Sequence, residues 1–420
     1  MKRDDMKNHA FRHHPIAVRH AGHRRRAIGV LDLFADHFLL FPIGAVIALV
    51  WSNVEAESYF TFAQSFGFLV NEVGMAFFFA LVGQEVVEAV MPGGALHSWR
   101  RWGLPIVAAV GGIVGAAISF LAYVMFNHQL VLAQAWPAAC AIDIAVTYYV
   151  LKFIYRRSAV LPFVLLLGIV TNVFGMVLIA LQGPPPETRT AGMVLVLTAI
   201  GLALLFRARK VPTFWPYLAL CGTTCWWAFY WIGLHPALAF LPIVPLLPHE
   251  PRHLDFFASP PDDDALHHFE HEWNYLVQLV LFFFGLVNGG VVIEGWEVGS
   301  SAFLAAAFVG RPVGVLVAIG VATLAGMHLP RHMRWTELIV MAVATSSGFM
   351  FALVYATELL PLGPVRDQMT IASLMTIAGA VIAIAIARLL RVGRYAPRSA
   401  TSHRAHESAP SEREAPWDSV

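Results

Sequence analysis

Residues 163–181 read FVLLLGIVTNVFGMVLIAL, an apolar stretch that contains no charged side chain. A helix needs about 20 mostly apolar residues to cross the roughly 30 Å hydrocarbon core of a bilayer, so this stretch is long enough to span a membrane. Similar stretches recur from Leu31 to Arg391. Hydrophobic side chains make up 58% of the 420 residues and charged ones only 13%, about half the charged share of a soluble domain. The sequence predicts an all-α polytopic membrane protein and excludes a large soluble catalytic domain.

About twelve transmembrane segments fit this pattern. Their predicted bounds are 31–51, 69–91, 103–126, 135–152, 160–182, 190–207, 213–231, 232–247, 273–296, 302–325, 336–357 and 367–392. The seventh and eighth could instead form one helix kinked at Gly233 and Pro236. The transmembrane domain thus covers 31–392, between a basic tail at 1–30 and a tail at 393–420 that is rich in Ser, Pro, Ala and charge and is predicted to be disordered.

The placement of Lys and Arg predicts the orientation. With twelve segments both termini share one side, and that side carries every Lys and Arg except Arg189, Arg366 and Arg311. Cytoplasmic loops are enriched in basic residues, so both termini are predicted to be cytoplasmic. The start of the chain is too polar for a signal peptide, and a bacterial inner membrane is the expected location.

Ionisable residues inside the segments are the candidates for function, because each costs about 2.5–3.5 kcal/mol at the bilayer centre unless it is paired or hydrated. They are Asp143, Arg311, Glu72, Glu85 and Glu88. Asp143 could bind an ion or neutralise helix-end dipoles, and Arg311 could be a buried partner that holds two helices together. Glu72 and Glu88 could simply face water near helix ends. Glu85 and Glu88 share a helix face and could line a cytoplasmic funnel.

Two segments carry helix-breaking sequences. Pro137 lies near the start of the fourth segment, and the eleventh contains Thr345, Ser346, Ser347 and Gly348. Broken helices at corresponding places of two halves are typical of a transporter site near the midplane, although a simple kink is the alternative.

No motif of an enzyme or of a cofactor or metal site is apparent. The three cysteines lie in apolar segments without metal-type spacing to histidine, and His235 is interpreted as a core or helix-end residue. We expect no enzymatic activity, no cofactor, no tightly bound metal and no nucleic-acid partner.

The segments together resemble the bacterial NhaA-type sodium/proton antiporters. The resemblance is carried, in order, by NEVGMAFFFALVGQEV, LPIVAAVGGIVGAAI, WPAACAIDIAV, FVLLLGIVTNVFGMVLIAL, IGLHPALAF, FFFGLVNGGV, FVGRPVGVL and SSGFMFALVY. It covers roughly residues 30–392. It implies two inverted three-helix repeats, segments three to five and ten to twelve, in which helices four and eleven are interrupted and cross. It also suggests a homodimer.

The resemblance also implies roles for single residues. Asp143 matches the acidic residue at the crossing, where Ile142, Ser346, Ser347 and Gly348 also lie. Arg311 takes the place of a lysine in the tenth helix. Glu85 matches the acid of the cytoplasmic funnel, and Glu72 stands where the family has an aspartate.

The chain departs from the family at the residues for which sodium and protons compete. Two adjacent aspartates of the family's fifth helix are replaced by Thr171 and Asn172, and the threonine before the crossing aspartate is replaced by Ile142. Thr and Asn can offer oxygen ligands to a cation but cannot exchange protons near neutral pH. The family's coupling mechanism therefore lacks its usual groups.

The leading expectation is a secondary transporter that exchanges sodium or lithium for protons and takes part in pH regulation, with altered or lost coupling. Asp143, Thr171, Asn172 and Arg311 are the predicted ion-binding and transport residues. One alternative is a structural or regulatory membrane protein on the same scaffold. Another is an anion transporter, in which Arg311 would contact the anion. Membrane lipid is the remaining expected partner.

Overall fold

The computed structural model describes residues 40–90, 99–155, 158–181, 189–211, 213–247, 265–293, 297–330 and 333–396. Within these ranges the regular secondary structure is entirely helical, as the all-α prediction requires. The predicted tail at 1–30 lies outside the described residues, as does the C-terminal tail beyond residue 396.

The described helices follow one another without a strand between them. They are α1 (Leu40–Val54), α2 (Ala56–Phe68), α3 (Met75–Val90), α4 (Trp99–Phe126), α5 (Trp136–Ala139), α6 (Ile144–Ile154), α7 (Val160–Leu181), α8 (Arg189–Ala208), α9 (Thr223–Ile232), α10 (Ala265–Asn288), α11 (Val298–Ala305), α12 (Arg311–Leu324), α13 (Trp335–Ala344), α14 (Phe349–Leu359), α15 (Pro364–Met375) and α16 (Ala378–Leu389). Single π-helical turns link α2 to α3 (Leu69–Gly74) and α11 to α12 (Ala306–Gly310), and a third, Tyr217–Gly222, precedes α9.

Six continuous helices of the described ranges are long and apolar enough to cross a membrane. They are Ala56–Gln84, Gly103–Phe126, Val160–Ala180, Thr190–Ala208, Val298–Leu324 and Pro364–Tyr395. Two bent helix pairs raise the number to eight if each pair is one span: Leu130–Ala139, which joins a 3₁₀ helix to α5, with α6, and α13 with α14. Leu40–Val54 and Leu276–Asn288 are shorter apolar helices. The total of twelve spans stays a prediction.

The second predicted segment begins much earlier than its hydropathy indicated. The helix starts at Ala56 rather than at residue 69 and continues through the π-helical turn. Its first turns contain Glu57 and Gln64 among aromatic residues. These polar side chains lower the local hydropathy without breaking the helix, so the sequence pattern placed the boundary too late.

The predicted eighth segment, 232–247, is not an α-helix. Gly233 adopts a left-handed conformation (φ 73°) that ends α9. Beyond it the chain forms only the short 3₁₀ helices Pro236–Leu238 and Val244–Leu246. Pro236, Pro242 and Pro245 explain this, since proline removes a backbone donor and clashes with the preceding helical turn.

The non-helical stretch nevertheless returns along α8. At the start of α8, Gly192 lies against Ile232, the last residue of α9. At the other end of α8, the Arg207 guanidinium donates to the Pro245 carbonyl oxygen over 3.1 Å. Residues 232–245 therefore run from one end of α8 to the other. Leu238 is buried, as are about half of residues 232–245, and non-helical backbone at membrane depth is tolerated where protein covers it.

Helices α4 and α12 pack at close range through glycines. A Cβ atom added to Gly115 would overlap with the Gly310 carbonyl oxygen, and one added to Gly314 would overlap with the Gly111 carbonyl oxygen. Small residues at membrane helix interfaces allow this approach, which gains van der Waals contact between backbones. The interface fixes the N-terminus of α12, and therefore Arg311, relative to α4.

Candidate functional site

The interruptions of the fourth and eleventh segments meet each other. Leu130–Ala139, which ends with α5, and α6 are bent by 53° at residues 140–143, and α13 and α14 by 44° at residues 345–348. The Asp143 backbone N–H donates to the Ser347 carbonyl oxygen over 2.7 Å. The Thr147 hydroxyl donates to the Ala344 carbonyl oxygen over 3.2 Å. Both interruptions expected from the sequence are present, and we call this contact region the crossing.

Glycine at position 348 allows this close approach. A Cβ atom there would lie 2.8 Å from the carbonyl oxygen of Ala141 on the opposite break. Ser346 and Ser347 are fully buried beside it, and neither hydroxyl has a hydrogen-bond partner among the described residues. The crossing therefore contains unused polar atoms next to the exposed backbone of both breaks.

Asp143 joins the N-termini of two half-helices. It is the N-cap of α6, and its Oδ1 accepts a hydrogen bond from the Val146 backbone N–H over 3.1 Å. Its Oδ2 accepts from the Met350 N–H in the first turn of α14 over 3.3 Å. The side chain is only 3% exposed. Because helix N-termini carry partial positive charge, the carboxylate lies where two such ends converge.

Arg311 faces the C-terminal ends of α5 and α13, the half-helices that precede the two breaks. It begins α12 and is 1% exposed. Nη2 donates to the Ala139 carbonyl oxygen over 2.6 Å, and Nη1 donates to the carbonyl oxygens of Ala141 and Thr345, the latter over 3.0 Å. Ala139 ends α5 and Thr345 caps α13, so the guanidinium faces two helix C-termini with partial negative charge. Within the described ranges, Arg311 and Asp143 do not form a salt bridge.

Thr171 and Asn172 lie in the middle of α7, on the helix that packs beside the crossing. Gly168 contacts Ile144, the first residue of α6, and Gly175 faces the Tyr355 hydroxyl on α14. Thr171 and Asn172, both 1% exposed, lie between these two contact points.

The polar atoms of these two residues differ in how they are used. The Thr171 hydroxyl donates to the Leu167 carbonyl oxygen of its own helix over 2.9 Å. The Asn172 amide has no hydrogen-bond partner at either polar atom among the described residues. A buried amide without a partner is costly, so Asn172 has unused capacity to bind a ligand.

The remaining predicted site residues divide into two groups. Ile142 is 2% exposed and packs in an apolar cluster with Leu167 and Val315, so the break offers no side-chain oxygen there. Glu85 and Glu88 fall on α3, but their side chains lie outside the described part of the structure.

A second polar cluster was not predicted from the sequence. His235 lies within salt-bridge distance of Glu72 on the turn between α2 and α3 and of Glu358 near the end of α14. His235 also caps a 3₁₀ helix, because its Nδ1 accepts from the Ala237 N–H over 3.3 Å. Its interpretation as a helix-end residue was therefore correct but incomplete. Three residues so far apart in the chain have no spacing that a single sequence could reveal.

The fold is that of a multi-pass helical membrane protein with two broken helices in contact. The profile of the family described as Na+/H+ antiporter 1 matches residues 35–390, and this chain belongs to that family. A Na(+)/H(+) antiporter NhaA of Desulfitobacterium hafniense is 33% identical over 382 residues, which cover 88% of this chain and 97% of that relative. Na(+)/H(+) antiporter NhaA 1 of Pelobacter propionicus is 34% identical over 380 residues, covering 87% and 98%.

A solved structure shows the same fold. The sodium proton antiporter MjNhaP1 from Methanocaldococcus jannaschii aligns with a TM-score of 0.55, covering 89% of this chain and 100% of that one. The sequence identity is 14%, so this likeness concerns the fold alone.

Proposed function

We propose that the protein is a secondary transporter that exchanges sodium or lithium for protons across the bacterial inner membrane. Both termini are cytoplasmic in this proposal, and the chain forms a homodimer. The ion site lies at the crossing and uses Asp143, Asn172, Thr171 and the exposed carbonyl oxygens of the breaks. Segments three to five and ten to twelve act as inverted repeats around it.

The observation that supports this proposal best is the position of Asp143. Its buried carboxylate lies between two half-helix N-termini, beside a helix with an unpartnered amide. A carboxylate, an amide oxygen and carbonyl oxygens are hard ligands of the kind that small alkali cations prefer. Membership of the antiporter family supports the choice of sodium and protons.

Coupling is altered in this proposal because Asp143 carries the only carboxylate near the crossing among the residues that the structure describes. Thr171 and Asn172 are neutral at every physiological pH, so Asp143 would have to take up both the cation and the proton. No observation favours the structural or regulatory alternative. The anion alternative loses support because both terminal nitrogens of Arg311 donate to backbone carbonyl oxygens.

Ion uptake into proteoliposomes tests the proposal. The purified protein is reconstituted and assayed with sodium, lithium, potassium and chloride across an imposed pH gradient. We expect slow sodium- or lithium-dependent proton flux that Asp143→Asn abolishes. Glu57→Gln, a matched change at an exposed position of α2, should leave the flux unchanged. Flux that survives Asp143→Asn at its original rate would rule out Asp143 as the exchange site.

A further inference from the structure

The cluster of Glu72, His235 and Glu358 brings together three potential metal ligands from distant parts of the chain. Nε2 of His235 lies 3.8 Å from Oε1 of Glu72 and directly contacts Oε2 of Glu358. Each residue offers one ligand atom, and these atoms lie within 4.8 Å of one another. Ligand atoms around a tetrahedral ion with bonds of about 2.0–2.2 Å are separated by less than this distance, so small side-chain shifts would complete a coordination shell.

Two buried oxygens of the cluster lack any partner. Oε2 of Glu72 and Oε1 of Glu358 are inaccessible to solvent and form no hydrogen bond within the described ranges. The Glu358 side chain is only 5% exposed. Two carboxylates this close repel each other, and burial makes their separate ionisation still less favourable. A positively charged species that joined the cluster would pair with both carboxylates.

Neighbouring groups only partly supply that charge. The N–H proton on Nε2 of His235 can be donated to one carboxylate only. The close contact between Nε2 and Oε2 of Glu358 directs this proton to Glu358. Arg366 is close enough to interact electrostatically with Glu358, but its Nη2 donates to the Asn288 side chain over 3.2 Å. For Glu72, the His235 imidazole lies 3.8 Å from Oε1, and Oε2 accepts no hydrogen bond among the described residues.

We propose that Glu72, His235 and Glu358 form a binding site for a divalent transition-metal ion such as Zn²⁺. One imidazole nitrogen and two carboxylate oxygens are a ligand set that zinc accepts, and three protein ligands leave the fourth position for water. Two carboxylates balance the charge of a divalent ion. The imidazole distinguishes this site from one for Mg²⁺ or Ca²⁺, which bind oxygen ligands.

The site lies away from the crossing and is not sealed by the described helices. The side chains of Glu72 and His235 are 25% and 16% exposed, so the cluster keeps an open side at which an ion could enter. Coordination through Nε2 places the imidazole proton on Nδ1 and removes the 3.3 Å hydrogen bond from Ala237. That bond is long and weak, and its loss is small against three coordination bonds.

A bound ion would connect three structural elements. Glu72 belongs to the turn between α2 and α3, His235 to the turn after α9, and Glu358 to the last turn of α14. The N-terminus of α14 provides the Met350 N–H that binds Asp143. The ion would therefore hold α14, and with it one side of the crossing, against the rest of the bundle.

Thermal unfolding of the full-length protein in detergent tests the site. We expect ZnCl₂ to raise the unfolding temperature by several degrees, because an ion that binds only the folded state stabilises it. MgCl₂ should have no such effect. His235→Gln and Glu358→Gln should each abolish the zinc-dependent rise. His128→Gln and Glu57→Gln, at exposed positions, are the matched controls and should retain it.

The chain contains 18 histidines, many of them in its terminal tails, which can also bind zinc. Comparing the zinc-dependent shift of each variant with its own metal-free value separates folding defects from lost binding. Isothermal titration should in addition show a fall in affinity of about tenfold or more for Glu72→Gln, since even removing an outer-sphere partner costs about 10–100-fold. An equal zinc-dependent shift in the unmodified protein and in His235→Gln, or no shift in either, would overturn the proposal. Neither measurement involves transport, so the result is independent of the proposed exchange activity.

Discussion

Asp143 and Arg311 are each stabilised by backbone rather than by each other. The carboxylate accepts from the N-termini of α6 and α14, and the guanidinium donates to the C-termini of α5 and α13. The two breaks therefore create two oppositely charged sites, and one ionised residue occupies each. This explains how two buried charges coexist at the crossing without a salt bridge in the described ranges. Arginine suits its position because its planar fork reaches carbonyl oxygens of both breaks at once.

Replacing Thr171 and Asn172 by aspartate should increase coupled exchange. The unmodified protein is expected to show weak sodium/proton exchange because neither side chain titrates near neutral pH. Thr171→Asp combined with Asn172→Asp supplies two carboxylates on the face of α7 beside Ile144 and Tyr355. Sodium-driven proton flux in proteoliposomes should rise severalfold.

The matched control for this pair is Thr171→Asn with Asn172 retained, which has nearly the same shape without the charges. It should behave like the unmodified protein. Equal flux in the aspartate pair and in this neutral pair would show that these two positions do not limit coupling. Robust exchange by the unmodified protein would contradict the expectation of weakened coupling itself.

The site residues could be predicted from the sequence to different degrees. Asp143 and Arg311 stand out because a charge in an apolar segment is rare, and both lie at the crossing. Their hydrogen bonds could not be predicted, because they depend on carbonyl and amide groups that every residue carries. The cluster around His235 was missed for another reason. Glu72 and Glu358 are each compatible with a water-facing helix end. Only the packing of α14 brings Glu358 next to His235 and Glu72.

Helix positions were predicted well wherever a long apolar run decided them. Residues 103–126 and 160–182 match the observed spans Gly103–Phe126 and Val160–Ala180 closely. The errors occur where backbone chemistry outweighs hydropathy. Prolines convert 232–247 into 3₁₀ turns, and polar residues hide the start of α2. Hydropathy measures the transfer of side chains into lipid, and it says nothing of which backbone hydrogen bonds a buried segment makes.

The close contact between α4 and α12 should be sensitive to a single methyl group. In Gly314→Ala the new Cβ would overlap with the Gly111 carbonyl oxygen, so the helices must separate. Overpacking of this kind costs about 1–3 kcal/mol, and thermal unfolding in detergent should report a lower unfolding temperature.

Gly320→Ala on the same helix is the control for this substitution. A Cβ atom at position 320 meets no atom within 4 Å, and alanine favours the helix by up to about 1 kcal/mol relative to glycine. Its unfolding temperature should be unchanged or slightly higher. Equal destabilisation by the two substitutions would contradict this explanation, because Gly320→Ala creates no overlap at the α4–α12 interface.

The predicted topology of twelve crossings requires that one crossing, at residues 232–247, is not an α-helix. The chain between Ile232 and Pro245 runs from one end of α8 to the other as proline-rich backbone outside any α-helix. A topology counted from α-helices alone would miss this passage and reverse the orientation of every later segment. With it, the distribution of basic residues still predicts both termini on the cytoplasmic side.

Cysteine labelling in intact cells tests this orientation at two turns of nearly identical geometry. His128 and Lys210 are both exposed, and both adopt a left-handed conformation, with φ of 56° and 52°. The predicted topology places residue 128 outside and residue 210 in the cytoplasm. A membrane-impermeant maleimide should therefore label His128→Cys in intact cells but label Lys210→Cys only after the membrane is opened. The native cysteines at 140, 221 and 225 are buried, and the unmodified protein gives their background.

Labelling at positions that follow residues 232–247 in the chain tests whether this non-helical stretch completes a crossing. Gly363, in the turn before α15, belongs on the same side as residue 128, and Gly393, after α16, on the same side as residue 210. Leu362→Cys, next to that first turn and 79% exposed, should therefore react from outside, whereas Arg391→Cys should not. The opposite result at positions 362 and 391, with 128 and 210 as predicted, would show that residues 232–247 do not complete a crossing. Both termini could then no longer lie on one side, because the number of crossings would be odd.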